Sequence, residues 1–292
     1  MKPPRFRYFP ARDIDEAVQL LAAQGEGARV LAGGQSLMPL MNMRLARPSA
    51  LIDLNEIGAL AYVRPWDGGL ALGAMTRDAD LEQAALAAAR LPLLVEAARH
   101  VGHPAIRNRS TIGGSIAHAD PAAELPAVIL ALDAELEARG ASGSRVLAAR
   151  DFFQGPFQTG LEPGEILTEV RIPGLPPRSG SAFLEFARRE GDYALVGVAA
   201  VVALDEDGTI ASARLGLCSV SQTPARPIAA ESLLAGKRPD SDAWNAAAEA
   251  VMVSLHDLPS DIHGSADYRR HLAGVMTRRA LALAAGRAER NS

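Results

Sequence analysis

Ala28-Arg29-Val30-Leu31-Ala32-Gly33-Gly34-Gln35-Ser36 decides the architecture. It reads as a short apolar strand, then a glycine pair, then a serine placed to cap a helix over Leu37 to about Arg44. About eighty residues on, Thr111-Ile112-Gly113-Gly114-Ser115 repeats the theme, with a weaker strand lead-in around Ile106. A glycine pair lets backbone N–H groups turn toward one point and lets a ligand approach with no Cβ in the way. Two such loops can hold two phosphates, and neither contains a lysine. That combination points to a dinucleotide gripped by main chain rather than a triphosphate gripped by charge. Neither loop has the G-x-G-x-x-G spacing or the Walker A pattern. For the first pair alone, a plain strand-to-helix turn is the competing reading.

Working outward, Asp13-Ile14-Asp15-Glu16 has the form of a capping box and opens a helix to Gly25, and Ser49 to Leu54 reads as a strand. A small α/β unit over the first fifty-odd residues follows. Ala61–Arg64 and Leu70–Gly73 flank Asp67-Gly68-Gly69 as a hairpin, and helices are predicted near 77–90, 91–101 and 126–132. Ala134–Arg139 and Arg145–Ala149 predict paired strands, and Glu165–Ile172 another. Pro173 to Gly180 is the clearest linker. Beyond it, 194–204 and 209–220 predict a hairpin, with helices from about Ala229 onward.

The stretch around the second glycine pair is the richer of the two. Thr111 and Ser115 can donate to phosphate, and Asp120 suits ribose or ribitol hydroxyls. Asp120 followed by Pro121 also has the form of an N-cap and first helical residue. Arg107 and Arg109 are candidates for neutralising phosphate, against the default of surface salt bridging. His103 and His118 flank the loop, and a direct acid–base role for either is the minor reading. Tyr193 stands at the start of a very apolar strand, as a ring for a planar cofactor or as an interface anchor.

Composition narrows the classes. The 292 residues carry a net charge of −4, a single cysteine and six histidines. No polybasic run suggests nucleic acid, and the longest apolar stretch is too short to span a bilayer. One cysteine excludes an internal disulfide and a cysteine-ligated iron–sulfur cluster, and the histidine spacing gives no metal site. No secretory signal region follows the N-terminus, so a cytoplasmic location is expected.

Four motifs in order, A-G-G-x-S at 32–36, T-I-G-G-x at 111–115, A-D-P-A-A-E-L-P at 119–126 and R-R-x-G-D-Y-A at 188–194, make the chain resemble the FAD-binding medium subunit of the molybdenum hydroxylases, the group of xanthine and carbon monoxide dehydrogenases. The resemblance spans nearly the whole chain. It implies an α+β protein with a two-subdomain FAD-binding fold of the vanillyl-alcohol oxidase/para-cresol methylhydroxylase type plus a small α/β C-terminal domain. The expected boundaries are 1–177 for the FAD part, in subdomains of about 1–56 and 57–177, and 178–292 for the C-terminal domain. It implies that Ala32, Gly33, Gly34, Gln35 and Ser36, with Thr111, Ile112, Gly113, Gly114 and Ser115, grip the pyrophosphate. Asp120 would then bind a hydroxyl, and Leu167 and Tyr193 would lie near the ring system. Gln35 departs from a histidine found in some relatives. FAD is expected to be noncovalent.

In such complexes molybdopterin sits in a large subunit and two iron–sulfur clusters in a small one, and electrons reach FAD before passing to an external acceptor. This chain would carry no catalytic residue and no metal. A self-contained FAD-dependent oxidase or reductase of the same fold is the alternative, and a flavin-binding regulatory protein a third.

Overall fold

Asp13 caps the first helix as its sequence predicts, Oδ1 accepting from the Glu16 amide at 2.8 Å, and Gly25 ends Ile14–Gln24 at φ +67°. Glu16 reaches back to the Arg12 amide at 2.9 Å rather than to Asp13, so the box closes one residue early. In this computed structural model, which describes residues 1–291, the helix covers a three-stranded parallel sheet. Its centre is Ala50–Asp53, flanked by Arg7–Pro10 and Ala28–Leu31. Arg7–Pro10 escapes sequence reading because it is short, largely exposed and ends in proline, which only an edge strand tolerates.

The second subdomain is an antiparallel sheet in the order Val63–Trp66, Gly69–Gly73, Ile166–Ile172, Glu135–Gly140, Gly143–Ala148. Helices between residues 78 and 131 lie over it, and Leu70, Leu72, Leu94, Ile112, Ile129 and Phe152 form its core. Two expectations fail here. Ile106 lies in the one-turn helix Pro104–Arg107, started by the proline, and not in a strand. The second glycine pair is not a loop: Thr111 is an N-cap and Gly113 and Gly114 belong to the helix Ile112–His118.

Residues Pro173 to Arg178 connect to an antiparallel meander, Ser179–Phe186, Val196–Leu204 and Ile210–Cys218, packed by the helices Ile228–Leu234, Ser241–Ser254 and Ala266–Arg290. The strand takes the last two residues of the predicted linker. A Cβ on Gly180 would lie 2.2 Å from the Ala284 carbonyl oxygen, so the bare glycine backbone is what lets the last helix lie on this strand. Val196–Leu204 is buried from end to end. Ala199 and Val201 face the core of the second subdomain, while Val198, Ala200 and Val202 face the helices of their own domain. Among the described residues, no helix is long and apolar enough to cross a membrane.

Candidate functional site

The first glycine loop ends the strand Ala28–Leu31, and Gly34 takes φ +76°. The N–H groups of Gly33, Gly34, Gln35, Ser36 and Leu37 donate to nothing among the described residues. Such a run of bare amides in a bent chain forms a concave anion receptor. The Ser36 side chain does not cap the helix Leu37–Asn42, contrary to expectation: the residue itself is already helical, so its hydroxyl is not set against the first-turn amides. Gln35 Nε2 folds back onto the Gly33 carbonyl at 3.3 Å.

The second glycine pair is built differently. Thr111 Oγ1 accepts from the Gly114 amide at 3.0 Å, and the Ser115 amide donates to the Thr111 carbonyl. The Ile112 and Gly113 amides donate to the carbonyls of Thr76 and Ala74. Its backbone donors are thus used inside the protein, and its glycines serve close approach. A Cβ on Gly113 would fall 2.4 Å from that of Ala74. Ile112 is fully buried in the core and does not border the cleft.

The two stretches meet directly. A Cβ on Gly33 would stand 2.1 Å from the Arg109 carbonyl oxygen and 2.7 Å from Ser110 Cα. A polar chain holds this seam. Tyr8 donates to Asp53 at 2.5 Å, and Asn55 Nδ2 donates to Asp53 Oδ1 and, at 2.9 Å, to the Ala32 carbonyl. Arg77 donates to Asn55 Oδ1 at 2.6 Å and to the Arg109 carbonyl. Sequence reading missed Asn55 and Arg77, because nothing in their local pattern marks partners more than twenty residues away. Replacing Arg77 with methionine keeps its stem and removes both charge-assisted bonds, so stability should fall by about 2 kcal/mol. Urea unfolding reads this as a lower midpoint at unchanged slope, and a wild-type midpoint would refute it.

Between the loops and the strand Ile166–Ile172 lies a cleft of about 1470 Å³. That exceeds the roughly 300–1,000 Å³ of pockets for drug-sized ligands and suits a long, jointed one. Every predicted site residue except Ile112 borders it. Asp120 is not a helix N-cap as anticipated. Its Oδ1 accepts from the Ala122 amide at 2.9 Å in a tight turn, and the helix starts later, at Glu124. Its other oxygen is left without a protein donor among the described residues. Leu167 is buried at the cleft wall, and Tyr193 is exposed at its rim.

His118 borders the cleft with its ring 5.0 Å from that of Phe157, and burial lowers its pKa, which keeps the ring neutral. His103 does not border it, and a Cβ on Gly191 would lie 2.4 Å from its ring. Asp78, buried at the cleft edge, accepts from Ser110 Oγ at 2.5 Å, and burial pushes its carboxyl up to about 6. Arg107 pairs with Glu82 at 2.9 Å, away from any phosphate role. Among the described residues no group of three potential ligands is placed to hold a metal ion.

Comparison with known proteins follows the same division. Residues 4–175 match the family described as FAD binding domain in molybdopterin dehydrogenase, and residues 181–284 match the CO dehydrogenase flavoprotein C-terminal domain. The chain is 45% identical to the 6-hydroxypseudooxynicotine dehydrogenase complex subunit alpha of Paenarthrobacter nicotinovorans, over 99% of this chain and 97% of that one. It superposes on a chain of the reconstituted CO dehydrogenase from Oligotropha carboxidovorans with a TM-score of 0.96 at 40% identity, covering 98% and 100% of the two chains. A chain of quinoline 2-oxidoreductase from Pseudomonas putida 86 gives 0.93 at 40% identity, with 99% of each chain covered.

Proposed function

Since the chain belongs to the family of FAD-binding medium subunits of the molybdenum hydroxylases, we propose that it takes electrons from the iron–sulfur clusters of a partner subunit and hands them through FAD to an external acceptor. The observation that carries this reading is the row of five bare amides, Gly33 to Leu37, opening on a cleft long enough for a dinucleotide. Those amides would hold the pyrophosphate at short range without a cation. The second stretch, Thr111 to Ser115, would back them by shape. Its glycines let the two backbones close on the ligand, and Ser115 Oγ can still donate. Asp120 would accept from a ribityl or ribose hydroxyl through its unpartnered oxygen. Leu167 would exclude water beside the ring, and Tyr193 would cover it from the rim. Bound FAD supplies the chemistry, taking electrons singly and releasing them in pairs.

The rest of the assembly is defined by what this chain does not offer. Cys218 is fully buried and burial pushes its thiol up, so it is no cluster ligand. Among the described residues, no nucleophile paired with a base faces the cleft. Oxidation of the organic or gaseous substrate then belongs to a large molybdopterin subunit, with a small iron–sulfur subunit between. The full-length relatives are named for different substrates, a pyridine alkaloid derivative, carbon monoxide and quinoline, which fits a substrate chosen outside this chain. We assign the complex to the cytoplasm.

Tagged chain purified from its own organism should carry about one noncovalent FAD per chain and bring down a cysteine-rich chain and a molybdenum-containing one. A flavoprotein that purifies alone and oxidises an organic substrate would overturn the reading in favour of a self-contained enzyme.

A further inference from the structure

A second cavity, of about 410 Å³, lies on the junction of the two domains and shares no lining residue with the larger cleft. Arg90, which ends the helix Ala85–Arg90, enters it from one domain. Arg287 and Arg290, from the last turn of the helix Ala266–Arg290, enter it from the other. Glu96 is the single acid among the described lining residues, and both its oxygens are committed. Oε1 pairs with Arg287 at 2.6 Å, and Oε2 accepts from the Phe183 amide at 3.0 Å. Arg287 also donates to the Ser181 carbonyl at 2.5 Å. Arg90 makes one bond, to the Gly69 carbonyl at 3.1 Å, and Arg290 makes none; neither has an acidic partner among the described residues. Two positive charges at the cavity are therefore uncompensated.

Ser181 supplies an independent sign. It lines the same cavity, it is 2% exposed, and its Oγ has no hydrogen-bond partner among the described residues. A buried hydroxyl left unpaired carries a desolvation cost that an acceptor placed in the cavity would offset.

We propose that this cavity is a second anion site, built for a phosphoryl group. A phosphate ester carries close to two negative charges at neutrality, which matches the two uncommitted guanidinium groups. Each guanidinium can take two of its oxygens in a fork, and the Ser181 hydroxyl can donate to another. A carboxylate offers half the charge and two oxygens, and so fits the donor set less well. The volume lies within the roughly 300–1,000 Å³ of small-molecule pockets and leaves room beside Ala89, Pro92 and Leu175 for a group attached to the phosphate. The site differs in kind from the first glycine loop, since it uses cations where that loop uses bare amides. An occupant held by Arg90 and Arg290 would tie the two domains together and raise their resistance to unfolding.

The test is calorimetric titration of the FAD-loaded full chain in chloride buffer, with inorganic phosphate and with uridine monophosphate as probes. Bound flavin fills the amide row, so that row does not compete for the probe. One equivalent should bind per chain with a dissociation constant below about 1 mM. Arg90→Met and Arg290→Met, which keep the apolar stems, should each weaken binding about tenfold or more, and Ser181→Ala about threefold. Arg278→Met is the control for loss of a charge from the same helix, since Arg278 is exposed and bonds to Asn245 at 3.2 Å. Tighter binding of the ester assigns the site to a phosphorylated small molecule, and equal affinity assigns it to the free ion; both support it. No binding of either probe, or binding that Arg90→Met and Arg290→Met leave unchanged, overturns the site while the flavin absorbance keeps the FAD assignment standing. A chain that holds no flavin yet binds phosphate through Arg90 and Arg290 overturns the FAD reading alone.

Discussion

Gly33→Ala should yield a protein that purifies nearly colourless, with its affinity for FAD down by at least about 100-fold. The added methyl would sit 2.1 Å from the Arg109 carbonyl oxygen and 2.7 Å from Ser110 Cα, and both neighbours are backbone. No rotamer change relieves that overlap, so one glycine stretch must move away from the other. Displacement of the loop would take its bare amides out of register with the pyrophosphate we propose they hold. Two such bonds to a charged group at about 1.5 kcal/mol each amount to about 3 kcal/mol, or two decades in affinity. The seam is also tied by Arg77 and Asn55, so the secondary structure should survive, with overpacking costing about 1–3 kcal/mol of stability. Gly58→Ala is the control, since a Cβ there meets nothing within 4 Å and the residue has an ordinary φ. The flavin-to-protein absorbance ratio, with far-UV circular dichroism, measures the effect. Full flavin occupancy in Gly33→Ala would remove the first loop from the pyrophosphate site.

The second large effect is on stability against pH. An unfolded glutamate titrates near 4.3, whereas burial raises the carboxyls of two buried glutamates, Glu124 and Glu185, to about 8 and about 7. Between those limits the folded chain binds more protons than the unfolded one, so unfolding free energy falls as pH rises. The contribution is complete below about pH 4.5 and is lost as pH climbs through 7 and 8. Asp78, raised to about 6 by burial, acts in the same direction and is spent earlier. At about 1.4 kcal/mol for each unit by which a carboxyl is raised, the loss over this range should reach several kcal/mol. Glu165 and Glu169, held low, act with the opposite sign and only under acid conditions, Glu165 through Arg145 and Glu169 through hydrogen bonds from Tyr62, Arg64 and Arg171. Urea unfolding at a series of pH values should show a decline for wild type and a flatter profile for Glu185→Gln. Equal stability at pH 5 and pH 9 in the wild type would show that the pair is not shielded from water as described.

Much of this was legible from the chain because it is encoded locally. The Asp13 cap, the hairpin around Asp67-Gly68-Gly69 and the buried run from Val196 to Leu204 each announce themselves within a dozen residues. Recognition of FAD came from four motifs in fixed order, which no single glycine pair could supply. Failures arose where the same residues serve two geometries. Gly113-Gly114 reads as a phosphate loop, yet its amides are spoken for and Gly113 is bare so that the chain can meet Ala74. Asp120-Pro121 reads as a helix start, yet it makes a turn. The Asn55–Arg77–Arg109 tie joins residues more than twenty positions apart, and spacing along a chain does not encode it. One signal was available for Glu124: a carboxylate leading an otherwise apolar helix.

The strand Ile166–Ile172 belongs to two cores at once. Ile166 packs into the core of the first subdomain with Leu60 and Met75, while its neighbour Leu167 packs into that of the second, just before a register shift against the strand Glu135–Gly140. Adjacent residues of a strand point to opposite faces, so this one segment forms a party wall. Neither compartment can melt without exposing a residue the other depends on. The two therefore should unfold cooperatively as one unit, and this wall of the cleft is only as labile as the whole.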